Sequence, residues 1–366
     1  MKRLPCLSIN LSALKTNAHV IASICEKNGI TLCGVVKFSD GDTEVAKAYA
    51  AGGCKQIAVS RAMHLKQIKE AVPECETLLT RTPPRCDIEA TAKYADLSLH
   101  SDKDVLRALN DAAAKAGTTP GVILMLDVGD LREGVDSIEA LTELAAYTEK
   151  NLRHLRIRGV GTNLACLNGV LPCEENLSFL VEGACAVEQT IGRKLDFISG
   201  GSSINTLLLQ DGRNKMPERI NHLRIGGMIA NPINIRINRG IQFEGMREDS
   251  VMLTAEIVEI AEKNSAPKNT SAKNWAGEII KTEDKGRRMR AILAIGEQDI
   301  GHPDYLIPME EGVQIVGGSS DHTIVDVTEA KKIYKTGDAL HFRLKYAAML
   351  YAFTGQHVEI EYLSDR

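Results

Sequence analysis

Short β-branched and apolar runs alternate with longer amphipathic stretches from about residue 11 to residue 227. A continuous apolar run bounded by turn residues indicates a strand buried on both faces, whereas apolar residues spaced three and four apart indicate a helix. Glycines at positions such as 52, 117 and 192 are placed to end helices. The pattern predicts strands over 30–37, 56–60, 76–80, 97–101, 121–128, 155–164, 195–201 and 222–227. It predicts helices over 42–51, 61–72, 103–116, 137–151 and 174–191.

Eight strands alternating with helices favour the α/β class and, within it, a (β/α)8 TIM-type barrel. A doubly wound open sheet shows the same alternation, usually with fewer strands and often with a Gly-x-Gly-x-x-Gly turn after the first one. No such turn follows Val36.

The pattern of predicted elements changes near Asn231, where β-type runs follow one another with little helix between them. These predicted strands are 251–260, 288–295, 312–317, 322–327, 339–344 and 357–362. We therefore expect two domains, a barrel over residues 1–230 and a C-terminal all-β domain over 231–366. The polar stretch 261–284 is predicted to be a mobile or partner-contacting loop.

Composition excludes several classes of protein. The formal net charge of -4 over 366 residues leaves no basic surface for nucleic acid, so no nucleic-acid partner is expected. No apolar run approaches the length of a membrane span. The nine cysteines include no Cys-x-x-Cys pair and are expected to be reduced thiols of a cytoplasmic protein, and we assign no metal ligands.

Candidate chemistry lies where the predicted barrel strands end, because the carboxyl ends of the strands build the active site of such barrels. Lys37 ends the first strand, and an amine at the rim of an apolar pocket loses its proton more easily than one in water. The alternative is a solvated surface lysine. Arg132 follows the fifth strand and is suited to bind a carboxylate through two hydrogen bonds, although an ion pair with Glu133 or Asp130 is the simpler interpretation.

The last three strands end in residues suited to bind a phosphate or an approaching ligand. Asn163 ends the sixth strand, where it can also serve as a turn cap. Ser202 and Ser203 follow the seventh strand in a run of small residues whose amides and hydroxyls can surround a phosphate. The eighth strand contributes Arg224 followed by Gly226 and Gly227, and glycines permit close approach of a backbone to a ligand.

Taken together, these segments resemble the alanine racemase family, in particular its ornithine-racemase-like branch, whose members bind pyridoxal 5'-phosphate (PLP). The resemblance covers nearly the whole chain and rests on the order and spacing of its segments. Those segments are 9–17, 35–37, 127–134, 159–164, 198–203, 223–227, 288–299 and 318–322.

The resemblance implies a role for each candidate residue. Lys37 would carry PLP as a Schiff base and act as base on one face of the substrate α-carbon. Arg224 would face the pyridine nitrogen and keep it unprotonated, which weakens the cofactor as an electron sink. Asn163 would support Arg224, and Arg132 would orient the substrate carboxylate. The phosphate would be held by Ser202, Ser203, Gly226, Gly227 and Tyr346, although Tyr346 can equally be an ordinary half-buried strand tyrosine.

Two departures from the family pattern change the expected site. The tyrosine that binds phosphate soon after the lysine in alanine racemases is replaced here by the stretch 39–42. The tyrosine that acts on the opposite face, given by the partner subunit, is also missing, because the matching stretch 273–278 contains Trp275 and no tyrosine. We favour Asp321 and His322 as the second acid or base, against the alternative that they form an exposed turn. Further candidates are Asp299, His302 and Tyr305.

The expected function is therefore PLP-dependent racemisation of a free amino acid, by a homodimer with shared active sites. The ornithine-like branch suggests a basic substrate such as ornithine or lysine, with Glu278 or Asp299 among the acids available to its distal ammonium. Alanine or serine remains an alternative substrate. Other readings are a PLP-dependent decarboxylase or aldolase of the same architecture, a PLP-carrier protein, and a barrel without PLP in which Lys37 binds an acidic substrate.

Overall fold

The computed structural model describes residues 3–212, 215–268, 273, 277, 279 and 283–365. These residues form two compact units. One unit runs from Leu11 to Arg247, and the other combines the residues up to Asn10 with those from Glu248 onward. The chain therefore begins in the second unit, forms the first and then returns.

The first unit is a closed barrel of eight parallel strands, β2 to β9, in sequential order. A preceding strand, β1 at Cys6–Asn10, belongs to the other unit. Parallel pairing of β2 with β9, with Thr31 opposite His222, closes the barrel. The barrel strands are β2 (Thr31–Val35), β3 (Gln56–Val59), β4 (Glu76–Leu79), β5 (Leu97–His100), β6 (Gly121–Met125), β7 (Arg156–Gly161), β8 (Phe197–Ser199) and β9 (His222–Ile225). The predicted TIM-type barrel is confirmed, with each strand shorter than predicted.

Helices connect the barrel strands, and local capping explains several of their ends. The Asp42 carboxylate accepts a hydrogen bond from the N–H of Val45, and Gly117 and Gly192 adopt left-handed conformations at C-termini. The helices are α1 (Leu11–Lys27), α2 (Thr43–Ala51), α3 (Leu65–Ala71), α4 (Ile88–Tyr94), α5 (Lys103–Ala116), α6 (Ile138–Asn151), α7 (Glu174–Ile191), α8 (Gly227–Ala230) and α9 (Pro232–Arg239). The sequence prediction missed α1 and α4, and it also missed α8 and α9. Because α9 belongs to the barrel unit, that unit extends to Arg247, beyond the predicted limit at residue 230.

The core of the barrel combines an apolar cluster with buried polar side chains. The cluster includes Cys33, Leu78 and Phe197, and each of these strands is buried on both faces. His222 and Ser199 on neighbouring strands are fully buried as well. A buried polar group must be hydrogen-bonded to avoid a desolvation cost, so these side chains are expected to be connected to one another.

The second unit is an eight-stranded sheet. Six strands form the order β12, β15, β10, β11, β14, β13, and β1 pairs antiparallel with β10 and parallel with β16. The strands are β10 (Val251–Asn264), β11 (Arg287–Leu293), β12 (Leu306–Pro308), β13 (Gln314–Gly318), β14 (Thr323–Asp326), β15 (Ala339–Leu344) and β16 (Glu359–Leu363). Two helices accompany them, α10 (Glu297–Ile300) and α11 (Tyr346–Thr354). The predicted C-terminal β fold is confirmed, and the N-terminal strand is an addition to it.

Two expectations concern the rest of the chain. Much of the polar stretch 261–284 lies outside the described residues, but its first four residues continue β10 and pair with β11. Every helix within the described residues is too short or too polar to cross a membrane.

Candidate active site

The predicted site residues of the barrel all lie at the carboxyl ends of its parallel strands. Lys37 follows β2, Arg132 follows β6, Asn163 follows β7 and Ser203 follows β8. Arg224 lies within the short strand β9. Because parallel strands of a closed barrel point the same way, these residues share one face of the barrel.

Lys37 begins a single 3-10 turn, Lys37–Ser39, directly after β2. The two residues that follow it, Phe38 and Ser39, are buried, whereas Lys37 retains accessible surface. Desolvation by the surrounding groups nevertheless lowers the pKa of the Lys37 amine, and the positive charges of Arg132 and Arg224 lower it further. The Glu133 carboxylate acts in the opposite direction and raises that pKa. The amine is thus reachable by a ligand and easier to deprotonate than an ordinary surface lysine.

Arg224 is buried, and three hydrogen bonds fix its guanidinium. One terminal nitrogen donates to the carbonyl oxygen of Thr162 and to Oδ1 of Asn163, both at 2.7 Å. The other terminal nitrogen donates to the Ser199 hydroxyl. Burial lowers the pKa of Arg224, but a guanidinium stays protonated in proteins. The barrel therefore presents a fixed positive charge beside the end of β7.

Glu133 connects the two site arginines. Its carboxylate forms a bidentate ion pair with Arg132, in which one N–H···O bond is 2.9 Å. It also accepts a hydrogen bond from the side-chain amide of Asn163, whose oxygen accepts from Arg224. The ion pair that sequence reasoning considered for Arg132 is present, and Arg132 and Asn163 are joined through it. Sequence reasoning missed the role of Glu133 because its contact with Asn163 crosses from one strand end to the next.

The Ser203 hydroxyl meets two backbone amides at the end of β9. The N–H groups of Gly226 and Met228 both donate to Ser203 Oγ, each at 3.3 Å. Gly226 also allows a close backbone approach, since a Cβ there would lie 2.6 Å from the carbonyl oxygen of Val35. The packing of β9 against β2 therefore leaves no room for a side chain at Gly226. The same packing places Arg224 and Lys37 at the ends of neighbouring strands. Gly227 lies between the two donating amides.

A hydrogen-bonded loop follows β7 on the same face. Asp130 is almost fully buried, and its carboxylate accepts hydrogen bonds from the N–H groups of Cys166, Leu167 and Asn168 at 3.0–3.1 Å. Burial alone would raise the pKa of Asp130, but these N–H donors lower it below its usual value. The loop after β6 therefore holds the loop after β7 in place.

A cavity of about 520 Å³ opens between the loops after β7 and β8 and helix α9. Ser202 and Ser203 line it, together with Asn234 and Asn238 of α9. The N–H of Ser202 donates to Oδ1 of Asn205, which fixes the backbone of this lining residue. The cavity gives the serine pair access to a small molecule.

The remaining predicted site residues lie in the β unit. Asp321 accepts hydrogen bonds from Gln298 at 2.6 Å and Ser320 at 2.9 Å, and both Asp321 and His322 are exposed. Tyr346 is the first residue of α11, so the alternative of a strand tyrosine at this position does not hold. Three alanines, a methionine and a leucine are among the residues that follow, and they favour a helix.

The other candidates for the second acid or base have structural contacts within the β unit. Asp299 is buried and accepts a hydrogen bond from the N–H of Gly296 at 3.1 Å. His302 caps the turn that contains Tyr305. Trp275 and Glu278 lie outside the described residues.

The donor set of the barrel suits PLP chemically. Lys37 supplies an amine for its aldehyde, and Arg224 supplies N–H donors for a pyridine nitrogen. Ser203 keeps an O–H donor for its phosphate, because its oxygen accepts from the N–H groups of Gly226 and Met228. In addition, Thr162 Oγ1 is buried, and no described residue hydrogen-bonds to it. The class that fold and site define is a TIM-type barrel with an amine, a fixed cation and a set of hydrogen-bond donors at one face.

Comparison with known proteins identifies the family. Residues 9–231 match the model of the alanine racemase N-terminal domain. A protein named ornithine racemase, from Acetoanaerobium sticklandii, is 37% identical over 359 residues, covering 98% of this chain and 99% of that protein. A protein named lysine racemase, from Thermotoga maritima, is 33% identical over 358 residues, covering 98% of each chain. The chain belongs to the alanine racemase family, whose members are PLP enzymes.

A solved structure shares the fold over the full length. Alanine racemase from a D-cycloserine-producing Streptomyces lavendulae superposes with a TM-score of 0.73 at 16% identity, covering 100% of this chain and 98% of that one. At that identity the likeness concerns the fold alone. It agrees with a barrel followed by a β unit.

Proposed function

We propose that this protein is a PLP-dependent racemase of a basic amino acid, with ornithine and lysine as the first substrates to examine. The observation that carries the proposal is the placement of Lys37 and Arg224 at the ends of the adjacent strands β2 and β9. Full-length similarity to an ornithine racemase and a lysine racemase supports the substrate class.

PLP, once joined to an amino acid, withdraws electrons from the α-carbon and makes its proton removable. In the proposal, Lys37 holds the cofactor covalently, and Ser202, Ser203, Gly226 and Gly227 hold its phosphate. Tyr346 remains the further phosphate-binding candidate that the family resemblance implies. The hydrogen bonds that converge on Ser203 support the barrel part of this assignment.

Lys37 and Arg224 divide the chemistry between them. Lys37 would become a free amine when the amino group of the substrate replaces it on the cofactor aldehyde. The lowered pKa of Lys37 increases the fraction of neutral amine at neutral pH, and a neutral, free Nζ could then accept the α-proton from one face. Arg224 offers N–H donors and no acceptor, so an aromatic nitrogen that faces it stays unprotonated. An unprotonated ring withdraws electrons less strongly, which favours rapid return of a proton over side reactions.

The opposite face of the α-carbon needs a second proton donor and acceptor. We propose Asp321 or His322 for this role, because both are exposed polar groups of the β unit. We further propose a cytoplasmic homodimer in which the partner's β unit completes each site. A dilution series that lowers activity together with the dimer fraction would support shared sites.

Arg132 is proposed to orient the substrate carboxylate. Its ion pair with Glu133 leaves 36% of the Arg132 side-chain surface exposed, so a carboxylate can still reach it.

Arg224 also argues against the decarboxylase alternative. A decarboxylase of this architecture would place a carboxylate at the pyridine nitrogen to keep that nitrogen protonated. The cation Arg224 does not keep it protonated.

The first test follows the α-proton directly. Proton NMR of the PLP-loaded protein in deuterated water, with L- and D-ornithine, L- and D-lysine, alanine and serine, reports loss of the α-proton signal. We expect exchange together with appearance of the opposite enantiomer for ornithine or lysine. Exchange with retained configuration, or carbon dioxide release without racemisation, would contradict the proposal.

A second test locates the cofactor without relying on activity. Borohydride reduces a Schiff base to a stable carbon–nitrogen bond, and peptide mass analysis then finds the modified lysine. We expect the label on Lys37, its loss in Lys37→Ala and its retention in Lys66→Ala, an exposed lysine of α3. A label that persists in Lys37→Ala would overturn the cofactor assignment.

A further inference from the structure

A chain of buried hydrogen bonds runs through the barrel interior from Arg224 to the opposite end of the strands. Arg224 donates to Ser199 Oγ, and Ser199 Oγ lies 2.7 Å from His222 Nδ1. His222 Nε2 lies 2.8 Å from Gln56 Oε1, and Gln56 Nε2 lies 2.9 Å from a Glu76 carboxylate oxygen. Arg224, Ser199, His222 and Gln56 are all buried.

Chemistry fixes the direction of every bond in this chain. Glu76 is ion-paired with Arg158, and an ionised carboxylate only accepts hydrogen bonds, so the amide NH2 of Gln56 must face it. The Gln56 oxygen is then the acceptor for His222, which must carry its proton on Nε2.

The rest of the chain follows from that proton. A neutral imidazole protonated on Nε2 accepts at Nδ1, so the Ser199 hydroxyl must donate its only proton to His222. Ser199 is left with lone pairs alone for Arg224. Burial lowers the pKa of His222 to about 3, and the positive charges of Arg224 and Arg158 add to this, so the ring stays neutral.

We propose that His222 is a positioning residue that makes Ser199 an acceptor and thereby fixes the guanidinium of Arg224. A serine hydroxyl rotates freely when nothing takes its proton, and it can then turn that proton toward the arginine. This proposal rests on the proposed function where it concerns the cofactor, since the guanidinium it fixes is the one assigned to the pyridine nitrogen.

The first arm of the test examines the chain without cofactor or substrate. Nitrogen-15 NMR of the full-length protein reports which ring nitrogen of each histidine bears the proton, and the His222→Gln spectrum assigns the His222 signals. We expect a proton on Nε2 and a hydrogen-bonded, unprotonated Nδ1 between about pH 5 and pH 8. A proton on Nδ1, or a ring that becomes charged in that range, would overturn the proposal whatever the protein catalyses.

The second arm uses the PLP-loaded protein and a matched pair of substitutions. Ser199→Ala removes the acceptor for Arg224, and Ser98→Ala removes a comparable buried bond, 2.8 Å from Ser98 Oγ to His100 Nε2. We expect Ser199→Ala to change the visible absorption spectrum of the bound cofactor and lower kcat about tenfold with little change in KM. Ser98→Ala is expected to leave the spectrum unchanged.

Two substitutions at His222 separate positioning from packing. His222→Leu fills space without hydrogen bonds and is expected to reproduce the spectral change of Ser199→Ala. His222→Gln offers an acceptor and a donor again and is expected to restore the original spectrum. Equal spectra for Ser199→Ala, His222→Leu and Ser98→Ala would overturn the positioning role. If His222 shows the expected tautomer but no amino acid is racemised, the proposed function is wrong and the positioning proposal is not.

Discussion

At the residue scale, the barrel mouth places three cationic groups around one carboxylate. Lys37, Arg132 and Arg224 are the cations. The anion is Glu133, which forms an ion pair with Arg132 and raises the pKa of Lys37. It also accepts a hydrogen bond from Asn163, which in turn accepts one from Arg224. Like charges that lie close together favour loss of a proton from the one that can release it, which is the lysine. The negative charge of Glu133 opposes this loss of a proton, so replacing Glu133 is expected to change the pKa of Lys37.

Replacing Glu133 by glutamine removes this negative charge while keeping an acceptor for Asn163. Because the Glu133 carboxylate raises the pKa of Lys37, its removal lowers that pKa, and the neutral amine persists to lower pH. We expect the acidic limb of the kcat profile to move to lower pH in Glu133→Gln, because Lys37 is a free amine only in the substrate complex. Measuring racemisation rates across pH checks the direction.

Two further variants complete this test. Asp136→Asn removes an exposed carboxylate of the same loop and serves as the control. Glu133→Leu also removes the acceptor of Asn163 and is expected to lower the plateau of kcat/KM by about tenfold. A limb that moves to higher pH in Glu133→Gln, or that moves equally in Asp136→Asn, would show that Glu133 does not act on Lys37.

The sequence identifies residues at strand ends but not the partners they find there. Lys37, Arg132, Asn163 and Arg224 are predictable because a barrel brings the carboxyl ends of its strands to one face. The Glu133–Asn163 contact and the Ser199–His222 pair join residues that are 30 and 23 positions apart. Such contacts depend on strand register and side-chain direction, which hydrophobic periodicity does not specify.

At the element scale, buried carboxylates tie helices and loops together. Glu188 of α7 accepts hydrogen bonds from Arg219 at 2.6 Å, Lys194 at 2.7 Å and the N–H of Leu195 at 3.1 Å. These contacts join the end of α7 to the segments that lead into β8 and β9. Burial raises the pKa of Glu188, but the hydrogen bonds outweigh it and lower the pKa to about 2.

We expect Glu188→Gln to destabilise the protein at neutral pH by about 1–3 kcal/mol, since the partners Lys194 and Arg219 are partly exposed and screened. A depressed pKa stabilises the fold above the unfolded-state value. The contribution is therefore lost as the pH falls from about 4.5 toward about 2. Denaturant unfolding of both proteins at several pH values measures the difference.

Glu182→Gln is the matched control, because Glu182 is an exposed carboxylate of the same helix. We expect it to change the free energy of unfolding by less than about 0.5 kcal/mol. A Glu188→Gln effect that stays constant between neutral pH and about pH 3 would show that the carboxylate charge does not stabilise this junction.

How well the sequence predicts an element depends on the length and the burial of that element. The barrel strands are predictable because short apolar runs mark where most of them lie, while short helices such as α4 and α8 offer too few turns for a clear period. Strand β1 has only five residues and pairs with β10 and β16, which lie more than 240 positions away. No local pattern identifies such partners.

At the scale of the whole molecule, both ends of the chain contribute to the β unit. β1 lies between β10 and β16, and its residue Leu7 is fully buried and opposite Ile360 of β16. Strand β1 therefore joins a sheet whose other strands all follow the barrel unit in the sequence. Folding of that sheet requires segments more than 240 positions apart to meet, which is a long-range contact.

Shortening Leu7 tests whether β1 supports the β unit specifically. Leu7→Ala is expected to cost about 2–5 kcal/mol because it leaves a cavity in the sheet core, whereas Ile360→Ala, at a position that is 38% exposed, is expected to cost less than about 1 kcal/mol. Hydrogen exchange followed by peptide should then accelerate in β10 and β16 and stay unchanged in β2 to β9. Equal acceleration in the barrel strands would mean that the two units open together, and an unchanged rate in β10 and β16 would mean that β1 is dispensable to the sheet.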